Sequence, residues 1–235
     1  MKHVLLSAAL LGAATAAQAQ VGAGTWLLSG QASYSQTKQE STIVPGNSQQ
    51  AEVNKVSQAV IMPLAGYFVT DNLLIGVRGG YEGQRQTSPQ YAVSVINGNY
   101  TYRKVGEAVS KINALTIGPA ARYYYFLGTQ AAFYGELSAG YAKRSSEDPI
   151  SNPYPPGPSD PIRTEANGMY GYLAPGFTFF PVPSLGLELS LQGLNYQHLK
   201  IEAKDTPYKS TLSSFEAGVK LQDLRLGLSW YVGRK

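Results

Sequence analysis

The 235-residue chain contains no cysteine, which excludes disulfides, thiolate metal sites, a cysteine nucleophile and the lipidated cysteine of a bacterial lipoprotein. Histidine is almost missing too: the two residues are His3 and His198. Only 14% of residues are charged, and the net charge of +4 is too small and too dispersed to argue for a nucleic-acid partner. Beyond the first twenty residues no apolar run approaches the roughly 20 residues of a transmembrane helix, and the mean hydropathy of −0.17 is that of an ordinary soluble protein. Ser-His nucleophilic catalysis and histidine-based metal chemistry are left without a constellation, so no catalytic residue, cofactor or metal site is expected and the chain reads as a non-enzyme.

What is abundant is tyrosine (17), phenylalanine (7) and glycine (25). Neutral hydropathy and many aromatics coexist naturally in a β wall whose alternate residues face lipid. The N-terminus supports export. Lys2 and His3 precede an apolar stretch from Val4 to Ala17, and Ala17-Gln18-Ala19 offers the small-x-small pattern that signal peptidase reads. Residues 1–19 are therefore expected to be a cleaved signal peptide, leaving 20–235 as a single barrel domain.

Eight segments alternate like strands, at about 24–35, 56–69, 73–84, 110–126, 131–142, 167–180, 185–197 and 212–232. The connections sort by length. Three are short (70–72, 127–130 and 181–184), whereas 36–55, 85–109, 143–166 and 198–211 are long and polar. Short turns at one end and long loops at the other predict an all-β, eight-stranded antiparallel up-and-down transmembrane barrel, with short periplasmic turns and long extracellular loops. Within the second long connection, Asn97-Gly98 between Tyr91–Ile96 and Asn99–Arg103 signals a type I′ hairpin, which sets Val95 opposite Tyr100 and Val93 opposite Tyr102. The hairpin reads as an extension of the third and fourth strands above the membrane, with a ninth and tenth wall strand as the alternative. Six prolines between 149 and 161 predict polyproline-like or disordered backbone there.

The two faces differ in chemistry. Trp26, Leu28, Ala32 and Tyr34 share one face, as do Leu73, Ile75, Val77 and Tyr81, and Phe133, Leu137, Ala139 and Tyr141. The ends of each set are eight residues apart, about 27 Å along a strand and roughly 20 Å vertically when tilted, close to the apolar band of such barrels. An aromatic girdle is expected from Trp26, Tyr34, Phe68, Tyr81, Tyr123, Tyr125, Phe133, Tyr141, Phe177, Phe179 and Trp230. The opposite faces carry Arg78, Arg122, Glu136 and Glu188 at a similar height above the short turns, which predicts a lumenal ionic cluster. Leu224, Leu226, Leu228, Trp230 and Val232 have the opposite parity to Phe215, Ala217, Val219 and Leu221, so a bulge is expected near Gln222-Asp223.

With this layout, the stretches Gly66-Tyr67-Phe68-Val69-Thr70-Asp71-Asn72-Leu73 and Gly118-Pro119-Ala120-Ala121-Arg122-Tyr123-Tyr124-Tyr125 resemble the small outer-membrane β-barrel family typified by the outer-membrane protein A barrel domain and outer-membrane protein X. Arg225-Leu226-Gly227-Leu228-Ser229-Trp230-Tyr231-Val232 resembles the C-terminal signal read by the barrel-assembly machinery, although here Gly-Arg-Lys follows it. The resemblance implies an integral, cell-surface protein of a Gram-negative outer membrane, reached through the periplasm. The partners it implies are lipid, lipopolysaccharide and the assembly machinery, with the loop partner open. A structural or surface-interaction role with a lumen filled by side chains follows; a narrow solute or ion channel is the alternative. Resemblance to lipid A deacylases would require His-x-Ser with an acidic partner, and His198-Leu199-Lys200 lacks it, so His198 reads as a loop-base residue. Gly24-Thr25-Trp26 is similar to the Gly-x-Trp of soluble lipocalins, but those barrels have polar exteriors.

Overall fold

A computed structural model describes residues 21–43, 50–96, 99–149, 161–203, 207, 209–218 and 223–233. The expected signal peptide, the Asn97-Gly98 turn and most of the proline-rich loop lie outside the described residues. The described residues form ten strands: β1 (Trp26–Ile43), β2 (Gln50–Phe68), β3 (Leu73–Ile96), β4 (Asn99–Leu127), β5 (Ala131–Asp148), β6 (Ile162–Val182), β7 (Leu185–Ser190), β8 (Leu194–Ala203), β9 (Lys209–Ala217) and β10 (Arg225–Val232). β1 to β6 pair in sequence, β6 pairs with both β7 and β8, and β7 pairs with β10, which returns to β1. The sheet is thus a closed antiparallel ring of eight staves, in which β7 with β8 and β9 with β10 are each one interrupted stave. Where the ring is closed, in its lower part, the backbone amides of the wall find partners on both sides without a free edge.

The strands outrun the hydrophobic alternation that announces them. β2 and β3 stay paired up to Lys55↔Thr87, and β3 and β4 then continue alone from Ser88↔Ala108 to Ile96↔Asn99. The residues expected to lie in long loops at 85–109 and 36–55 are therefore largely strand. Above the lipid band neither face needs to be apolar, so the period-two signal fades while the ladder continues. Val95↔Tyr100 and Val93↔Tyr102 are paired as the Asn-Gly turn requires, and a register shift at Gln90/Tyr91 leaves Val105 as an extra residue. The pair forms a ribbon above the wall, not two more wall strands.

The outward face carries a continuous apolar band, including Leu28, Val77, Leu137, Met169, Leu187 and Leu228. Its upper border is drawn by tyrosines whose hydroxyls reach polar neighbours: Tyr34 donates to Gln36 Oε1 (3.2 Å), Tyr81 to Asn113 Oδ1 (2.9 Å) and Tyr141 to Asn167 Oδ1 (2.7 Å). Past these rings the outward positions change to Lys38, Arg85 and Lys143, all exposed. Apolar ring body below and hydroxyl above is the orientation of an interfacial tyrosine. A soluble lipocalin-like barrel would not present such a band, and that reading is set aside.

Of the aromatic residues expected to form the girdle, Phe68 is the exception. It is fully buried, because β2 turns its even-numbered residues inward; its neighbour Tyr67 takes the outer position, edge-on to Trp26 at 5.2 Å. The other ten lie on the outward face, Phe177 half-buried against Phe133 (5.4 Å). The parity break in the last stave is real: Phe215 is outward in β9 and Leu226 in β10, with residues 218–224 between them. Val219 and Leu221 lie outside the described residues. A second irregularity stands beside it, where Ala174 and Pro175 of β6 face three residues, Leu191, Gln192 and Gly193.

These assignments make a stability order testable. Val77→Arg or Leu137→Arg, midway up the lipid band, is expected to cost about 2–4 kcal/mol in bilayer-reconstituted protein, as arginine does at a bilayer midplane. Thr116→Arg, which points into the lumen, is expected to cost less. Urea unfolding in lipid vesicles reads all three, and a reversed order would invert the inside and outside of the wall.

Candidate functional site

The lumen is layered. At the short-turn end, Leu27, Phe68, Leu74, Tyr124, Phe180 and Tyr231 form an aromatic plug, with Tyr124 5.3 Å from Phe68 and 5.5 Å from Tyr134, and Phe180 5.3 Å from Tyr231. Each arises from an inward strand position near a tight turn, where the staves have no other side chains with which to fill the mouth.

Directly above lies the ionic layer, and the structure brings all four expected residues together. Arg122 on β4 and Glu136 on β5 are cross-strand partners and form an ion pair; Arg78 on β3 pairs with the other oxygen of Glu136. Arg122 Nη1 also donates to Glu188 Oε1 on β7 at 2.8 Å. All four side chains are almost completely buried, so removing any one would leave an opposite charge without its partner.

Sequence reading missed the neutral groups that complete this layer. Glu188 Oε2 accepts from Ser29 Oγ and Gln31 Nε2, each at 3.0 Å. Gln31 Nε2 also donates to the Tyr134 hydroxyl (2.8 Å), while Gln31 Oε1 accepts from Ser190 Oγ (3.0 Å) and Arg78 Nη2 (3.4 Å). The Arg122 guanidinium carbon lies 4.5 Å from the centre of the Tyr134 ring, and that of Arg78 lies 4.8 Å from Tyr172. Inward parity on β1 points to Ser29 and Gln31, whereas a search confined to charges passes over them. Gly176 makes room for this arrangement: a Cβ there would stand 2.2 Å from the Tyr134 ring.

A fifth charge stands one step higher. Arg225, on β10, is buried; its Nη1 donates to the Tyr172 hydroxyl (2.6 Å) and its Nη2 to Gln192 Oε1 (3.3 Å). Above Arg78 and Arg225 the lumen opens into a cavity of about 970 Å³. The expectation of a lumen filled by side chains thus holds for the lower part and fails above the arginines, where Gly80, Ala114, Thr116 and Ala142 are too small to fill the width.

His198 is not a loop residue. It lies in β8, and its Nδ1 is 2.9 Å from Ser213 Oγ of β9, a cross-strand contact that no local His-x-Ser motif would reveal. The pair faces outward, next to Tyr196 and Phe215. Among the described residues no carboxylate bonds the ring, and none group into a candidate metal site.

The ionic layer makes a sharp energetic claim. Arg122→Met or Glu136→Gln alone is expected to destabilise by about 3–5 kcal/mol, because each strands a buried charge, and the double variant by clearly less than the sum of the two. Urea unfolding of the double-mutant cycle in lipid measures the coupling; additive costs would mean that water hydrates the two groups independently.

The model of the outer membrane protein β-barrel domain matches residues 5–231. No curated protein matches the chain by sequence. Among solved structures, the chain is similar to Ail, the attachment invasion locus protein of Yersinia pestis (12% identity, 90% of this chain and 96% of that one, TM-score 0.33). It is also similar to Neisserial surface protein A (12% identity, 88% and 96%, TM-score 0.36) and to the outer membrane protease OmpT of Escherichia coli (9% identity, 89% and 94%, TM-score 0.35). With a closed eight-stave ring, an apolar outer band and a family match over nearly its whole length, the chain belongs to the outer membrane protein β-barrel domain family.

Proposed function

We propose that this barrel is a non-enzymatic surface protein, anchored by its wall and acting through the strands that stand above the membrane. The observation that carries the reading is the packed lower lumen: an aromatic plug and a buried ionic layer occupy it, and a solute would have to displace them to pass. The material that is left to act is outside, in the β3–β4 ribbon and the upper wall. Its exposed Arg85, Arg103, Lys104 and Lys111 suit the phosphates of lipopolysaccharide or an acidic partner surface. Export with cleavage after Ala19 and insertion by the barrel-assembly machinery belong to the same proposal.

A narrow channel is the competing reading, and an acyl hydrolase built on His198 and Ser213 is another. The first requires the plug to move. The second would need a group to orient the imidazole, and among the described residues no carboxylate bonds the ring.

Three outcomes follow. Purified protein in planar bilayers is expected to give no open-channel current, and a steady conductance would favour the channel. Joining Thr87 to Val109 through Asn-Gly removes the ribbon at a paired position, so the barrel should keep heat-modifiable gel migration while surface binding by the cells that carry it falls. Ser213→Ala should leave the acyl-chain profile of outer-membrane lipids unchanged; loss of a deacylated species would identify an enzyme.

A further inference from the structure

Among the described residues the buried charge of the lumen does not balance. Three guanidinium groups, Arg78, Arg122 and Arg225, share the interior with two buried carboxylates, Glu136 and Glu188. Both carboxylates are engaged by Arg78 and Arg122. Arg225 keeps only neutral partners, the Tyr172 hydroxyl and Gln192 Oε1, and no carboxylate of the described residues lies within 4.0 Å of it. Two like charges also crowd one ring, because the guanidinium carbons of Arg78 and Arg225 lie 4.8 and 5.4 Å from the centre of Tyr172. A buried cation in this position is costly unless an anion joins it.

Arg225 lines the cavity, so an anion has space to do so. The acidic residues along the same cavity do not fill the role: Glu82 accepts from Gln58 Nε2 at 2.9 Å, and Asp223 and Glu216 stand beyond ion-pair distance of Arg225. Arg144 adds a further cation to the lining. The rest of the surface contains an apolar side made by Val60, Met62, Leu199, Leu212, Leu224 and Leu226.

That apolar side reaches the outer face of the barrel. β1 pairs with β10 only from Trp26↔Val232 to Ala32↔Leu226, whereas β1 continues to Ile43 on its β2 side. Among the described residues β9 pairs with β8 alone. The outward-pointing Tyr34, Leu224 and Leu226 therefore line the same cavity as the inward-pointing Arg225. A cationic floor, an apolar side and contact with the lipid face together match an amphiphile.

We propose that the cavity binds a single-chain anionic amphiphile, a carboxylate- or phosphate-headed molecule with an alkyl tail, its head on Arg225 and its tail along Leu212, Leu224 and Leu226. The cavity volume of about 970 Å³ is at the upper end of the range for small-molecule sites. The ligand anion completes the charge balance that the protein leaves open, and Gln192 and Tyr172 hold the guanidinium in place to receive it.

Calorimetric titration of the full barrel in phosphatidylcholine nanodiscs, with empty nanodiscs as the blank, tests this with decanoate, decyl phosphate, decanol, acetate and inorganic phosphate. One decanoate or decyl phosphate is expected to bind per barrel, the tighter of the two naming the head group. Decanol, acetate and inorganic phosphate should each bind at least tenfold more weakly. Arg225→Met should lower decanoate affinity at least tenfold and Arg225→Lys less. If Arg225→Met fails to fold, Thr116→Phe, which narrows the cavity away from the arginine, should produce the same loss. Equal affinity in wild type and either variant overturns the site; inorganic phosphate as tight as decyl phosphate overturns the amphiphile.

Discussion

A peptide group in hydrocarbon has no water to bond, and that constraint governs the rest of this molecule. Each stave must give its amides and carbonyls to two neighbours, and only a closed ring does this for all of them. Closure at eight staves makes the interior narrow, so the inward residues of opposite strands meet. The outward residues are then free to be mostly apolar, and the buried charged side chains Arg78, Arg122, Arg225, Glu136 and Glu188 are directed inward. Arg78, Arg122, Glu136 and Glu188 are thus brought together first by the cost of facing lipid and only then by their attraction.

Such a layer is not a simple gain in stability. Four buried charges lose more hydration than their ion pairs recover unless neutral groups satisfy the remaining oxygens and nitrogens. Ser29, Gln31, Ser190 and Tyr134 do that work around Glu188 and Arg78, each from a different strand or a different level. The network ties β1, β3, β4, β5 and β7 across the lumen, so it selects one register of the staves over slipped alternatives. A one-residue slip in any of these strands would turn its member outward into lipid.

What could be read beforehand follows from the same physics. Alternation is strong where one face meets lipid and the other a polar interior, so residues 26–34, 73–81 and 133–141 declared their faces, and with them the cluster residues at matching heights. Above the tyrosine border the two faces become alike; β1 to β4 run on through Ile43, Gln50, Ile96 and Asn99 without a hydrophobic signal, and there the expected loops were strands. Phe68 was misplaced for a related reason: an aromatic residue near a turn suits both a girdle and a plug, and only strand parity, set by the pairing Trp26↔Tyr67, distinguishes them. Arg225 and the His198–Ser213 contact depend on where interrupted staves resume their pairing, which no local pattern encodes.

The two interruptions are what separate the sealed half of the lumen from the open half. At 191–193 one extra residue reverses the parity of the seventh stave, and at the same height the last stave changes parity between Ala217 and Arg225. Below them, β7 and β10 pair with neighbours on both sides and contribute Glu188, Ser229 and Tyr231 to the packed interior. Above them, β9 leaves β1, and the inward positions pass to Asn195, Gln197, Leu212 and Ser214 around the cavity. Arg225 is the first residue below the break and Gln192 lies within it, so the pair that faces the cavity exists because the staves are irregular there. An uninterrupted ladder would close β1 onto the last stave, bring the two walls together above Arg78, and leave neither the space nor the unpaired guanidinium.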